Sequence, residues 1–161
     1  MKIAQAFMIG AAALAGSLFV LPAHAHAVEG HHLVFSQDKI QWGPAPDVLP
    51  KGAEAAVLYG DPTKEGQFAL RLRLPSGYHV PPHHHPVDEN VTVISGTFKI
   101  GMGDTADQSK VVALPAGSFL SMPPGMNHFV YADGETVIQI NTVGPWGLEY
   151  VNPKDDPRKG M

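Results

Sequence analysis

The chain has 161 residues, with 11 lysines and arginines against 15 aspartates and glutamates, a formal net charge of −4 and no cysteine. An acidic surface repels phosphate backbones, and the one basic cluster lies in the 154–159 tail, so nucleic acid is not an expected partner. Without a thiol the chain has neither a disulfide nor a cysteine nucleophile, and it must rest on its core, helped by any metal it binds.

Residues 1–27 read as an export leader. Lys2 gives the positive start, residues 6–21 form an apolar run broken only by glycine and Ser17, and Ala23-His24-Ala25 and Ala25-His26-Ala27 each offer a small-x-small cleavage site. No arginine pair precedes the run, which points to the general secretory route and to a periplasmic or secreted protein. The run is short for a bilayer and ends in a cleavage signal, so no membrane attachment is expected once the leader is removed. Removing 27 residues leaves 134, a length suited to one domain, with 10 basic and 15 acidic residues and a net charge of −5.

Residues 28–53 are mixed in composition, with Trp42 and prolines at 44, 46 and 50, and are expected to be an N-terminal extension packed on the main domain. His24, His26, His31 and His32 form a histidine-rich tract; solvated side chains at a mobile end account for it, although cleavage after Ala25 would leave His26 as a terminal copper chelator.

From Glu54 onward the pattern is that of strands. Residues 55–59 make a short strand and 61–66 a turn, while in 68–74 Phe68, Leu70, Leu72 and Leu74 alternate with polar or small residues and point inward, leaving Arg71 and Arg73 outside. Strands are predicted at 91–94, 98–100, 111–114, 118–122, 129–131 and 135–142, separated by turns on Gly96, Pro115-Ala-Gly117, Pro123-Pro-Gly125 and Asp133-Gly134. No helical period is convincing, so the fold class is all-β, a sandwich or barrel. In the 144–161 tail, Pro145-Trp146-Gly147 and Tyr150 are placed to cover one end of the barrel, and 152–161 is expected to fray.

The chemistry concentrates in residues 77–96, G-Y-H-V-P-P-H-H-H-P-V-D-E-N-V-T-V-I-S-G. In an extended segment His83 and His85 share a face and His84 takes the other. Pro86 bends the chain, so Glu89 can return beside the two imidazoles, and imidazole with carboxylate suits one divalent transition metal: Fe, Mn, Ni, Cu or Zn. A fourth ligand is offered by His128, which follows a Pro-Pro-Gly turn in G-S-F-L-S-M-P-P-G-M-N-H.

Together the two stretches resemble the paired motifs of the cupin family. Gly77, His83, His85, Glu89 and Gly96 satisfy every spacing of the first motif, and Gly117, Pro123, Gly125 and His128 fit the second, whose final Asn is replaced by Ala132. The resemblance covers about residues 54–143 and implies a single jelly-roll barrel (a double-stranded β-helix) with His83, His85, Glu89 and His128 as metal ligands. Ala132 stands where the family has a residue that does not bind metal, so the ligand set is untouched. Four ligands leave an octahedral ion two open positions. Similar sites in the family serve dioxygenases, decarboxylases and isomerases, and also proteins that only bind or sense small molecules.

Around that site, His84 and Asp88 are read as solvent or supporting groups and His79 as a strand or pocket residue. Phe119, Met122, Met126 and Phe129 flank the second motif and could line an apolar substrate pocket. In 137–141 the isoleucines at 138 and 140 share a face, so Gln139 and Asn141 share the other; they are candidate ligand-orienting amides if that face looks inward, and solvent groups if it does not. The sequence thus suggests a metal-dependent oxidoreductase of dioxygenase type acting on a small oxygen-rich molecule, with a non-catalytic periplasmic binder or sensor as the alternative. A homodimer is compatible with either. Expressed with its leader in a Gram-negative host, the protein should give an intact mass starting at His26 or Val28; a mass that retains Lys2 contradicts the leader reading.

Overall fold

In a computed structural model that describes residues 35–159, the alternation of Phe68, Leu70, Leu72 and Leu74 becomes one wall of the core, each no more than 4% exposed. The leader, and with it His24, His26, His31 and His32, lies outside the described residues. Eleven strands follow in order: β1 (Gly43–Pro44), β2 (Glu54–Tyr59), β3 (Gly66–Leu74), β4 (Tyr78–His84), β5 (Glu89–Ser95), β6 (Thr97–Met102), β7 (Val112–Pro115), β8 (Phe119–Met122), β9 (His128–Ala132), β10 (Thr136–Gly144) and β11 (Glu149–Tyr150). They form two antiparallel sheets, ordered β1-β2-β3-β10-β5-β8 and β11-β4-β9-β6-β7. Among the described residues there are only short 3₁₀ turns, and no helix is long and apolar enough to cross a membrane. This is an all-β jelly roll: two sheets pack their apolar faces together and their strands alternate inward and outward.

Strand β4 was not among the predicted strands, because Pro81 and Pro82 argue against ladder pairing. The chain accommodates them with a bulge. Pairing with β9 runs Tyr78↔Ala132, His79↔Tyr131, Val80↔Val130 and then shifts to His83↔His128. The shift reverses the parity of the strand, so Val80, at an even position, and His83 and His85, at odd ones, all face the interior.

The ends of the chain close one mouth of the sandwich. Leu49 and Ala53 from the N-terminal segment and Leu148 and Tyr150 from the tail join the core. Tyr78 Oη donates to Pro50 O at 2.6 Å and Tyr150 Oη to Val48 O at 2.7 Å, tying both segments to the barrel. Beyond Asn152 the tail does not fray as expected: turns at Pro153–Asp155 and Pro157–Lys159 bring Asp156 to 6% exposure, clasped by Arg158 Nε and Nη2, both at 2.8 Å.

Gly96 joins β5 to β6 with φ +76°, and a Cβ there would overlap the Glu135 carbonyl oxygen and Thr136 Cα. Gly125 has φ +74° but open space around it. Gly96→Ala should therefore destabilise by about 2–4 kcal/mol, from a left-handed backbone plus overlap, and Gly125→Ala by about 1 kcal/mol, from the backbone alone. Urea unfolding of the two variants measures the difference; equal losses would contradict the packing at Gly96.

Candidate metal centre

Three strand ends bring the predicted ligands together. His83 is at the end of β4 and His85 just past it, Glu89 opens β5, and His128 opens β9 directly across from His83. All four are buried, at 3%, 4%, 6% and 1% exposure for His83, His85, Glu89 and His128. One ring nitrogen from each histidine lies within 4.8 Å of the others, and Glu89 sits beside them, with Oε1 3.3 Å from His85 Nε2 and Oε2 3.7 Å from His128 Nε2. A His83/His85/His128 group of this geometry could bind a metal ion.

The rings are held from behind. His83 Nδ1 bonds the Pro81 carbonyl at 2.7 Å, His128 Nδ1 the Met126 carbonyl at 2.9 Å and His85 Nδ1 the Gly147 carbonyl at 2.7 Å. A carbonyl only accepts, so each Nδ1 carries a proton, and in the neutral ring the Nε2 lone pair is left for the interior. His85 Nε2 is shut off from solvent and, despite its nearness to Glu89, makes no hydrogen bond. An unpartnered nitrogen among two other imidazoles and a carboxylate is the donor set of a divalent transition metal, so the residues present fit such an ion.

Charge is distributed unevenly over the cluster. Burial, reinforced by the neighbouring His128 and His85 rings, holds His83 well below the ordinary histidine range. Burial also lowers His128, against the pull of Glu89. Burial works in the same direction on His85, but the charge of Glu89 and its proximity outweigh it, and His85 is raised. His85 is therefore the ring that holds a second proton most firmly, and that proton must leave when a metal binds.

The ligands face a cavity of about 30 Å³, room for about two water-sized groups. Its walls are apolar: Leu72, Leu74, Ile138 and Ile140 from one sheet, Val80, Phe98 and Val130 from the other, with Leu49, Trp146 and Leu148 from the chain ends. Two larger cavities, of about 360 and 590 Å³, lie elsewhere, lined mostly by outward residues of the six-stranded sheet and by segments beside it.

The five candidate substrate-binding residues are not in that lining. Ile138 and Ile140 point inward, so Gln139 and Asn141 point out, where Gln139 accepts from Arg71 Nε and donates to Asn141 Oδ1, both at 3.0 Å. Phe119 is 63% exposed because Leu120 and Met122 take the inner face of β8. Met122 is buried opposite Glu89 in the ladder, and Met126 contributes its carbonyl while its side chain is exposed. Phe129 packs on the outer side, over Gly101. His84 points away, with Nε2 3.6 Å from Glu149, Asp88 lines an outer cavity, and His79 stacks on Tyr131 at 4.3 Å. Trp146 and Leu49 were missed as lining residues; the tail's aromatic pair and the expected packing of 28–53 signalled only that these segments cover the domain, not that they reach the site.

Comparisons with known proteins bear on the fold. The family described as "Domain of unknown function (DUF4437)" matches residues 32–155. A germin-like protein, 3-1, of Oryza sativa subsp. japonica is 35% identical over 68 residues, which are 42% of this chain and 30% of that protein, so the match spans under a third of the relative's length. Among solved structures, the polyketide cyclase RemF of Streptomyces resistomycificus aligns with a TM-score of 0.66 at 14% identity, over 80% of this chain and 92% of its own. A candidate acetylacetone dioxygenase of Methylibium petroleiphilum gives 0.58 at 18%, over 80% and 87%. An RmlC-like cupin of Shewanella frigidimarina gives 0.54 at 15%, over 71% and 91%. The fold is that of the cupins.

Metal titrations of single variants test the cluster. His83→Ala and His128→Ala should each weaken divalent-metal affinity by at least about 100-fold, whereas His84→Ala should change it by less than about threefold. In the native protein, binding should release protons and weaken as the pH falls, because Glu89 holds the His85 proton above the ordinary histidine range and a metal must displace it. Calorimetry in buffers of different ionisation enthalpy reads both. Retention of metal by His83→Ala with loss in His84→Ala would reverse the assignment of faces.

Proposed function

We propose that this chain, which belongs to the DUF4437 family, is an exported metal-dependent oxidoreductase of dioxygenase type acting on a small organic molecule. The observation that carries the reading is the convergence of three backbone-anchored imidazoles and one carboxylate on an apolar cavity. A redox-active divalent ion held by His83, His85, Glu89 and His128, with two positions left open, would polarise an enolic oxygen and supply the one-electron chemistry that dioxygen requires. The chain's own part is to fix three Nε2 atoms, to supply one negative charge through Glu89, and to keep bulk water out with leucine, isoleucine and valine walls. Both oxygen atoms end in the product, so no external reductant is needed.

The cavity narrows the substrate that the sequence suggested. Besides the four ligands its walls present aliphatic and aromatic side chains, which suits a compact, weakly polar molecule with one oxygen-bearing end better than a polyhydroxylated one. At about 30 Å³ the cavity admits such a molecule only when part of its Leu49, Trp146 and Leu148 cover gives way. The candidate acetylacetone dioxygenase, whose named substrate is such a molecule, supports this choice by analogy of fold. Export rests on the leader at residues 1–27.

One observation favours a second reading, a binder that holds a ligand on the metal without changing it: among the described residues, no aspartate, glutamate, lysine or histidine beyond the ligand set lines the cavity to move protons. Oxygen uptake by protein loaded with Fe, Mn, Cu or Ni separates the two. Against small diketones, phenols and organic acids, at least one metal should give uptake of one O₂ per substrate consumed, at rates of the order of 1 s⁻¹ or faster. Saturable binding of a ligand that is recovered unchanged with every metal would select the binder.

A further inference from the structure

The tail residue Trp146 sits against the metal centre on three counts. Its backbone N–H donates to Pro62 O at 2.7 Å, which fixes the tail between β10 and β11. The next carbonyl, of Gly147, is the one that holds His85 Nδ1. Its indole stacks on the His85 ring, with centroids 5.4 Å apart and planes 18° from parallel, and lines the cavity.

One feature of that indole has no use within the fold. Trp146 Nε1 is closed off from solvent and has no hydrogen-bond acceptor. Buried N–H groups are nearly always paired, and an unpaired one costs stability, so an acceptor is expected where the group is retained. The aliphatic walls offer none. The histidine nitrogens and Glu89 belong to the metal centre, which leaves Trp146 as the one uncommitted side-chain donor among the described residues that line the cavity. A tryptophan is also a donor only; it cannot accept, and at a metal centre it discriminates by the sign of its partner.

We propose that Trp146 is a positioning and specificity-determining residue whose Nε1–H donates to the second oxygen of a small carboxylate or enolate held by its first oxygen at the metal centre. The inference rests on the reading of His83, His85, Glu89 and His128 as that centre. It accounts for an otherwise unsatisfied donor, and it names the ligand class: a compact molecule with two oxygens on one or three neighbouring carbons, the first for the ion and the second for the indole. A ligand with a single oxygen would leave the indole unpaired and bind more weakly.

Formate is the smallest probe with that arrangement. In zinc-loaded, ¹⁵N-labelled protein the two tryptophans give two indole N–H signals, and Trp42→Phe identifies the one from Trp146. Adding formate should move the Trp146 signal downfield and slow its exchange with water, while the Trp42 signal stays in place. In cobalt-loaded protein followed by visible absorption, Trp146→Phe, which keeps the stacked ring, should bind formate about tenfold more weakly, the worth of one charge-assisted bond, and bind cobalt within about threefold of the native protein. The wild-type spectrum stands by itself if the variant fails to fold. Bound formate with an unmoved Trp146 signal, formate that does not bind the loaded protein, or native formate affinity in Trp146→Phe overturns the role of Trp146 alone. Failure to take up either metal removes the centre and this inference with it.

Discussion

The site depends on three bonds made on the side of the rings away from the cavity: Nδ1–H of His83, His85 and His128 to the carbonyls of Pro81, Gly147 and Met126. Each fixes a tautomer and a ring rotation, so three lone pairs converge without the entropy cost of ordering them on binding. Two of the three are local, from a histidine to the carbonyl two residues before it. The third spans 62 positions and comes from the tail. The same stretch that covers the barrel mouth thereby sets the angle of one ligand, which couples closure of the cavity to the geometry of the centre.

Placing these rings inside the sandwich is costly. Three imidazoles and a carboxylate occupy an interior otherwise made of Leu72, Leu74, Ile138, Ile140 and their neighbours, where charge and unmade bonds are penalised. The depressed basicity of His83 and His128 is the sign of that cost, which Glu89 offsets at His85. A divalent cation held there would relieve it in one step, by giving each lone pair a partner and Glu89 a counter-charge.

Much of this was legible in the chain. Strict alternation over 68–74 identified the inner wall, and the spacing of His83, His85, Glu89 and His128 selected the four residues that the fold brings together. What was hidden has particular causes. β4 was obscured by its prolines, and the bulge they impose decides which face of the strand is inside. Alternation could not say whether Gln139 and Asn141 faced in or out; the pairing of Ile138 with Leu72 and of Ile140 with Leu70 decides it. Phe119 looked like pocket lining but takes the outward parity of β8, paired only to β5 at the sheet edge. Trp146 and Leu49 reach the cavity through long-range closure that no local pattern encodes. Ala132, where the second cupin motif has Asn, lies 1% exposed opposite Tyr78 and Phe98, a place for a small apolar side chain.

The central claim is that one ion is held by these four side chains through the nitrogens facing the cavity. A crystal structure of manganese- or iron-loaded protein, with anomalous scattering at the metal edge, tests it most directly. The expected result is one peak per chain, about 2.0–2.3 Å from Nε2 of His83, His85 and His128 and from one oxygen of Glu89. A peak at His79, His84 or the N-terminal histidines, or none inside the barrel, would contradict it.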